Sequence, residues 1–358
     1  MVLAAGGTAG HVFPAQAIYE RLLANGTEVH LLTDDRGLRW ADGFAPEHVR
    51  VIPSGGIVTG SIPTRTRNAA KLTRGYFRAR VALLDLQPDA VLGMGGYAAV
   101  GPLVSAQRMA IPTLLHEQNS VMGLANRAAA RSADVIALSF DPTEGAKGEC
   151  IVTGNPSRPD VIEVGAQPYP TPTEGGPLEL LVIGGSQGAR SISIRIPSAI
   201  AHLDETLRAR LRVVHQARTE DHQQVTDTYE RAGVAAEVLP FVDVPETLTH
   251  THLVLGRSGA TTVCDVAVAR RPGLYLPLTS HTDLQQVKNA RAVTMAGGAL
   301  IHREDESTVQ DLRSTLEDLL GNPGRLNSMA AAAFAWSRPD AADAILGLIN
   351  DRIAPLPL

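Results

Sequence analysis

LAAGGTAG at residues 3–10 and LVIGGSQG at residues 181–188 decide the fold. In each, a short apolar run ends on paired glycines and a helical pattern follows. The first continues through His11 into a helix with Pro14 in its opening turn, where a missing N–H costs nothing, and with Asn25-Gly26 as a left-handed stop. A strand that turns on glycines into a helix opens a β-α-β unit, and its backbone N–H groups converge where anions are held. Two such openings, offset by 178 residues in a chain of 358, predict two similar doubly wound α/β domains with parallel sheets.

Outward from these turns the alternation persists. Strand-like runs at 2–5, 28–33, 49–52, 90–93, 113–116, 135–139 and 151–153 are separated by helical stretches such as 12–24 and 64–86. It restarts with strands at 178–183, 211–214, 236–239, 252–255, 273–276 and 299–302. Between the halves, GAQPYPTPTEGGP at 165–177 holds four prolines and three glycines and reads as a linker. The expected domains are therefore 1–164 and 178–336, with 337–358 forming a last helix that either stays with the second domain or crosses back to the first.

Composition narrows the function classes. With 32 Lys+Arg, 37 Asp+Glu and 44% apolar residues, the chain can bury full cores, so disorder is a poor reading. Cys150 and Cys264 stand alone, which leaves neither a disulfide framework nor a zinc module. The longest uncharged run, 90–107, contains four glycines and a proline and does not read as a membrane span. MVLAAGGTAGH lacks a basic leader region, so no signal peptide is expected. Residues 1–160 carry 15 basic and 14 acidic residues, and 161–358 carry 17 and 23. Between Glu47 and Asp85 there is no acid, yet Arg50, Arg65, Arg67, Lys71, Arg74, Arg78 and Arg80 fall there. Interleaved with Leu72, Tyr76, Phe77 and Val81, the Arg65 to Arg80 stripe suits an anionic membrane surface, or equally a helix covering its own sheet. Nucleic acid is a poor partner for an acidic chain with few aromatics.

Several loops can carry chemistry. His11 lies at the mouth of the first glycine turn, a candidate general base or a merely exposed histidine. GGSQGAR at 184–190 adds Ser186 and Arg190 to the same device and suits a diphosphate; its spacing is neither a P-loop nor a dinucleotide fingerprint. GRSGATT at 256–262 opens a helix carrying Asp265, which either meets a ribose diol or complements its own helix dipole. GMGGY at 93–97 and HEQN at 116–119 follow strands on the edge where His11 is expected. Glu117 there could polarise His11 and Asn119 could bind a sugar, unless both are satisfied loop groups. Gln285 and Gln286 offer paired donors and acceptors. No D-x-D or HExxH stands in the chain, so no metal ligand set and no cofactor is expected.

Taken together, GGTAGHVFPA (6–15), GMGGY (93–97), LHEQN (115–119), VTGNPSR (152–158), VIGGSQGAR (182–190), RSGATTVCD (257–265) and QQ (285–286) resemble the MurG family of bacterial peptidoglycan glycosyltransferases, glycosyltransferase family 28. The resemblance runs nearly end to end. It implies a GT-B architecture: two Rossmann-like domains with a cleft between them, the acceptor and membrane side first and the UDP-GlcNAc side second. It implies inverting, metal-free transfer of N-acetylglucosamine to the C4 hydroxyl of the muramoyl sugar of lipid I, giving lipid II. Carried over by motif, His11 is the base, and Thr8, Ala9 and Gly10 form the first glycine loop and bind the donor. Asn119, Arg158, Ser186, Val242, Ala260, Thr261, Thr262, Val263, Cys264, Asp265 and Gln286 meet the donor, with Gly95, Gly96, Tyr97, Glu117 and Gln285 around the acceptor.

Further implied are peripheral attachment to the cytoplasmic face of the plasma membrane and contact with other cell-wall and division proteins. Two departures stand out: Ala9 replaces a usual glycine, placing a methyl near a phosphate, and Asp265 replaces a usual Glu, one methylene short of the ribose. Two rival readings share the donor site. One is another GT-B enzyme, either a transferase for a different lipid or natural product or a UDP-GlcNAc 2-epimerase; the other is a nucleotide-sugar-binding subunit without activity.

Overall fold

The computed structural model describes residues 1–56, 62–185, 188–279 and 284–353, apart from the side chains of Ile62, Pro63 and Arg65. Ser186, named above for the diphosphate, lies outside the described residues, as do His281, Thr282 and Asp283 shortly before the Gln285-Gln286 pair. The chain divides into two compact units, 1–158 with 339–358, and 159–338.

The first unit contains β1 (Val2–Ala4), α1 (Ala9–Ala24), β2 (His30–Thr33), β3 (Val49–Val51), α2 (Ile62–Leu86), β4 (Val91–Gly93), α3 (Tyr97–Arg108), β5 (Thr113–Glu117), α4 (Leu124–Ala129), β6 (Val135–Leu138) and β7 (Cys150–Val152). Its sheet runs β3-β2-β1-β4-β5-β6-β7, parallel throughout. Three residues suffice for β1 because each side chain enters a core: Leu3 on one face, Val2 and Ala4 on the other. Val12, Ala15, Ile18, Tyr19 and Leu22 form the stripe by which α1 covers the Leu3 face. The last helix of the chain joins it there through Ala342, Ile345, Leu346 and Ile349. Each buried Ile or Leu contributes about 1.5–3 kcal/mol. The exposed pairs Arg21–Asp343 (2.6 Å) and Arg352–Glu149 (3.0 Å) add little and serve to orient the helix.

The second unit contains α5 (Pro159–Ala166), β8 (Leu178–Ile183), α6 (Arg190–Ala201), α7 (Glu205–Arg208), β9 (Leu211–Gln216), α8 (His222–Arg231), β10 (Ala235–Leu239), α9 (Val244–Leu248), β11 (Leu253–Gly256), α10 (Ala260–Val268), β12 (Gly273–Tyr275), α11 (Gln285–Met295), β13 (Ala299–Ile301), α12 (Val309–Leu320) and α13 (Pro323–Trp336). The helix α14 (Ala341–Arg352), described above, closes the chain on the first unit. The second sheet, β10-β9-β8-β11-β12-β13, is also wholly parallel. Along β8 the faces alternate, Leu178, Leu180 and Val182 to one core, Leu181 and Ile183 to the other.

The division between the units falls at Arg158 and Pro159, earlier than the expected linker. Residues 165–177 belong to the second unit. Tyr169 is buried in its core and its hydroxyl donates to the carbonyl of His252 at 2.8 Å, while Arg210 Nε donates to the carbonyl of Gly176 at 2.7 Å. Proline and glycine content marks backbone that is neither helix nor strand; it does not report whether that backbone is packed. Strand order reverses between β1 and β4 in one sheet and between β8 and β11 in the other. At such switch points the loops beyond the strand carboxyl ends part, leaving a crevice where ligands bind.

Candidate functional site

In the first unit the loops after β1, β4 and β5 meet at the switch point. Thr8 is the N-cap of α1 but makes no side-chain capping bond, and no acid occupies the first turn. His11 therefore rides on a helix N-terminus that favours negative charge. Its ring lies half-buried, Nδ1 3.0 Å from Gln118 Oε1. Gln118 Nε2 donates to the carbonyl of Met94 at 2.7 Å and approaches His116 Nδ1 at 3.0 Å. Burial pushes the His11 pKa below the ordinary histidine value, against the opposing pull of Glu117 and the bond to Gln118. The ring is thus neutral near pH 7.

The GMGGY loop presses its backbone on this ring. A Cβ at Gly95 would stand 3.0 Å from both Gln118 Oε1 and His11 Nδ1, and one at Gly96 would stand 2.7 Å from the Gly6 carbonyl and 3.2 Å from His11 Cδ2. Both glycines also hold positive φ, 93° and 75°. Tyr97 follows as the first residue of α3, half-buried. A buried carboxylate fixes the facing loops: Asp34 Oδ1 accepts from the N–H groups of Gly7 (2.9 Å) and Gly37 (2.8 Å), and Oδ2 accepts from Ser54 Oγ. Arg158 stacks its guanidinium 4.8 Å from the Phe13 ring centre, beside the opening turns of α1.

Two expectations change here. Glu117 does not reach His11: Oε1 accepts from Asn119 N (3.0 Å) and Nδ2 (3.3 Å), and Oε2 from Gly123 N (2.9 Å) and Asn126 Nδ2 (2.8 Å). It organises the loop that presents Asn119, and the partner of His11 is Gln118. Strand alternation is the reason, since 116 and 118 share one face and 117 takes the other. Ala9 is only 7% exposed, so its methyl offers little surface beside the loop.

In the second unit the N-termini of α6, α10 and α11 approach the other switch point. Gly259 caps α10, and Thr261, Thr262 and Asp265 are half-exposed. Ala260, Val263 and Cys264 are buried, so their side chains offer a ligand little surface. The same holds for Val242, whose side chain sits in a core while neighbouring Phe241 is exposed. The Cys264 thiol is pushed up far above neutral pH by burial and takes no part as a thiolate. Ser258 Oγ donates to the Gln286 carbonyl (2.8 Å), Gln286 Oε1 accepts from Leu278 N (2.9 Å), and Asn289 Nδ2 donates to the Ser258 carbonyl (3.2 Å). The RSGATT and QQ motifs thus form one surface, with Gln285 half-exposed at the start of α11. Arg257 ties α6 to this edge through Ser191 Oγ (2.5 Å) and Glu304 (3.0 Å).

Residues 1–138 match the glycosyltransferase family 28 N-terminal domain and residues 179–345 its C-terminal domain. The chain is 44% identical to a UDP-N-acetylglucosamine–N-acetylmuramyl-(pentapeptide) pyrophosphoryl-undecaprenol N-acetylglucosamine transferase of Rhodospirillum centenum, over 99% of this chain and 97% of that protein. The crystal structure of Acinetobacter baumannii MurG aligns with a TM-score of 0.76 and 29% identity over 98% of both chains. The chain belongs to the MurG family. A putative UDP-N-acetylglucosamine 2-epimerase from Listeria monocytogenes, with TM-score 0.72 and 15% identity over 99% of this chain and 98% of that one, shares the GT-B fold alone.

Within the MurG frame, the structure brings His11, Gly95, Gly96 and Tyr97 together in one unit and Ala260 to Asp265 with Gln285 and Gln286 in the other. Gln118, His116 and Asp34 join the site only through the fold. The first two had a signal in the period-two spacing of the HEQN run; Asp34 had none, because its partners are backbone N–H groups from distant loops.

Proposed function

We propose that the protein is an inverting N-acetylglucosaminyltransferase that moves the sugar of UDP-GlcNAc to the C4 hydroxyl of the muramoyl residue of lipid I, forming lipid II in peptidoglycan synthesis. The observation that carries the chemistry is His11, a neutral imidazole on a helix N-terminus at the switch point, in a chain of the MurG family. Its ring takes the hydroxyl proton as that oxygen attacks the anomeric carbon. The bond to UDP breaks as the new one forms, giving a β-1,4 linkage. UDP leaves as an anion, and the N-termini of α6 and α10 supply positive potential for it; the family resemblance assigns Arg158 to the donor as well. Asp265 and Gln286 are assigned to the ribose and the sugar. The experiment is transfer of labelled UDP-GlcNAc to a lipid I analogue, with and without a chelator. Labelled disaccharide-lipid at an unchanged rate is expected in both. Chelator-sensitive transfer would contradict the metal-free route, and conversion of UDP-GlcNAc without acceptor would favour an epimerase.

The reading includes a membrane face on α2. Ala79, Ala82 and Leu83 cover the sheet, while Phe77, Val81 and Leu84 are 59%, 63% and 57% exposed among Arg67, Lys71, Arg74 and Arg78. The helix thus has both faces weighed above, one inward and one free to enter an anionic lipid surface. None of the described helices is long and apolar enough to cross a membrane. Near such a surface each basic residue contributes about 1 kcal/mol, so Arg74→Gln with Arg78→Gln should weaken binding to anionic vesicles about 30-fold. Co-sedimentation with vesicles of anionic or neutral lipid reads this out. Equal partition of the double variant and the parent would remove α2 from the role.

A further inference from the structure

We infer that Gln118 and His116 are positioning residues that hold His11 as the Nδ1–H tautomer, leaving Nε2 as the proton acceptor. The inference rests on His11 acting as the base. It follows from two carbonyl groups that can only accept.

The first is that of Gly154, 2.9 Å from His116 Nε2. His116 is fully buried and its pKa is lowered to about 4, mainly by burial, so the ring holds a single proton. That proton sits on Nε2, between the Gly154 carbonyl and Ser139 Oγ at 3.3 Å. Nδ1 of His116 is then a lone pair and has to receive a hydrogen bond. Gln118 stands 3.0 Å away and gives it from Nε2. The second carbonyl, of Met94, takes the other Nε2 hydrogen at 2.7 Å. Side-chain amide orientation is otherwise a choice between two nearly equivalent shapes, and here both ends of the choice are fixed. Gln118 Oε1 therefore faces His11, and at 3.0 Å it requires a proton on Nδ1. No side-chain partner of Nε2 of His11 is found among the described residues; the Met94 carbonyl, which accepts from Gln118, also lies close to the His11 ring and favours its charged form.

The two nearby carboxylates do not compete with Gln118 for the ring. Glu117 has both oxygens engaged with Asn119, Gly123 and Asn126, and Asp34 with Gly7, Gly37 and Ser54. Both carboxylates act on His11 only through their charge, each raising its pKa, while His11 and His116 are close enough that a proton on one disfavours a proton on the other. A Cβ at Gly95 would crowd both Gln118 Oε1 and His11 Nδ1 at 3.0 Å, so glycine there lets the two side chains keep their contact.

The test reads the tautomer directly, by 15N chemical shifts of His11 in the resting protein, beside pH profiles of transfer. Wild-type His11 is expected as Nδ1–H. Gln118→Met keeps the volume and removes the lock. The Nδ1–H fraction should fall, and kcat should drop about 10- to 100-fold at unchanged KM for UDP-GlcNAc, less than the about 10⁴-fold of a fully wrong tautomer because both forms stay populated. Its acid limb should move to lower pH, since the lost bond had favoured the charged ring, and Gln118→Glu should move the limb upward. His116→Asn, which retains an acceptor toward Gln118, should hold the tautomer better than His116→Leu. An Nε2–H tautomer in the wild type, or shifts unchanged in Gln118→Met, overturns the inference whatever the rates. Shifts as expected with neither rate nor pH limb moved would instead overturn His11 as the base. Opposite movements of the limb in the Met and Glu variants are not produced by a merely structural role.

Discussion

Replacing His11 by alanine is expected to lower kcat for transfer by about 10²–10⁴-fold, the range that a well-placed general base contributes. UDP-GlcNAc affinity should stay close to that of the parent, because the surface built from Ala260 to Asp265 and Gln286 lies in the other unit. Folding should be little affected, since the ring makes a single side-chain hydrogen bond, to Gln118. The pH profile sharpens the test. A base works when deprotonated, so activity should rise with pH through the His11 pKa and be fully present above it. Burial sets that pKa below the ordinary 6.5, which places the acid limb on the acid side of that value. In the alanine variant the limb should vanish from what activity remains. A variant that keeps more than a tenth of parental turnover, or the same acid limb, would assign the proton to another group.

The second large effect concerns stability and lies away from the chemistry. Arg271 is 1% exposed, and its guanidinium is satisfied by carbonyls: Nε to Leu248 (2.7 Å), Nη1 to Ala269 (2.8 Å) and Arg270 (3.2 Å), Nη2 to Thr249 (3.3 Å). These are the C-terminal carbonyls of α9 and α10, where two helix dipoles present their negative ends to one cation. Burial lowers its pKa to about 10, so it remains charged at neutral pH. The ring of Tyr169 lies 5.8 Å away and helps enclose it. Hydrogen bonds from a charged donor are worth about 1.5–3 kcal/mol each, so loss of the two short ones in Arg271→Met should cost about 3–6 kcal/mol. Set against about 5–15 kcal/mol for a whole domain, that is a large share. Urea unfolding of the second unit should shift accordingly, and Arg271→Lys should recover only part of it for want of the fork. A Met variant as stable as the parent would show that the carbonyls find other partners.

Much of the molecule is legible in the residues alone, and the two histidine-bearing loops show where legibility stops. The two glycine turns, at 3–10 and 181–188, were enough for paired doubly wound units, because a strand that bends on Gly into a helix has few other ways to bury both its faces. HEQN stands out as a motif, and by charge alone its carboxylate suits a partner for His11. The strand pleat turns Glu117 away and brings Gln118 and His116 to that side. The proline-rich run at 165–177 read as a linker and is packed around Tyr169 and Gly176 instead, with the division of units at Arg158.

The number of units, their parallel sheets, the family and the candidate base are all written in local spacing and in motifs that need no distant partner. What surrounds the base comes from the tertiary structure. It showed that α14 returns to the first unit and that Asp34 holds three loops at once. It showed too that Ala9, Val242, Val263 and Cys264 are buried, and that two carbonyls, from Met94 and Gly154, orient a glutamine and two histidines. The physical reason is common to all of these. Hydrogen-bond direction and side-chain burial are set by atoms brought together from far along the chain, and backbone carbonyls are the same at every residue, so no letter of the sequence announces them.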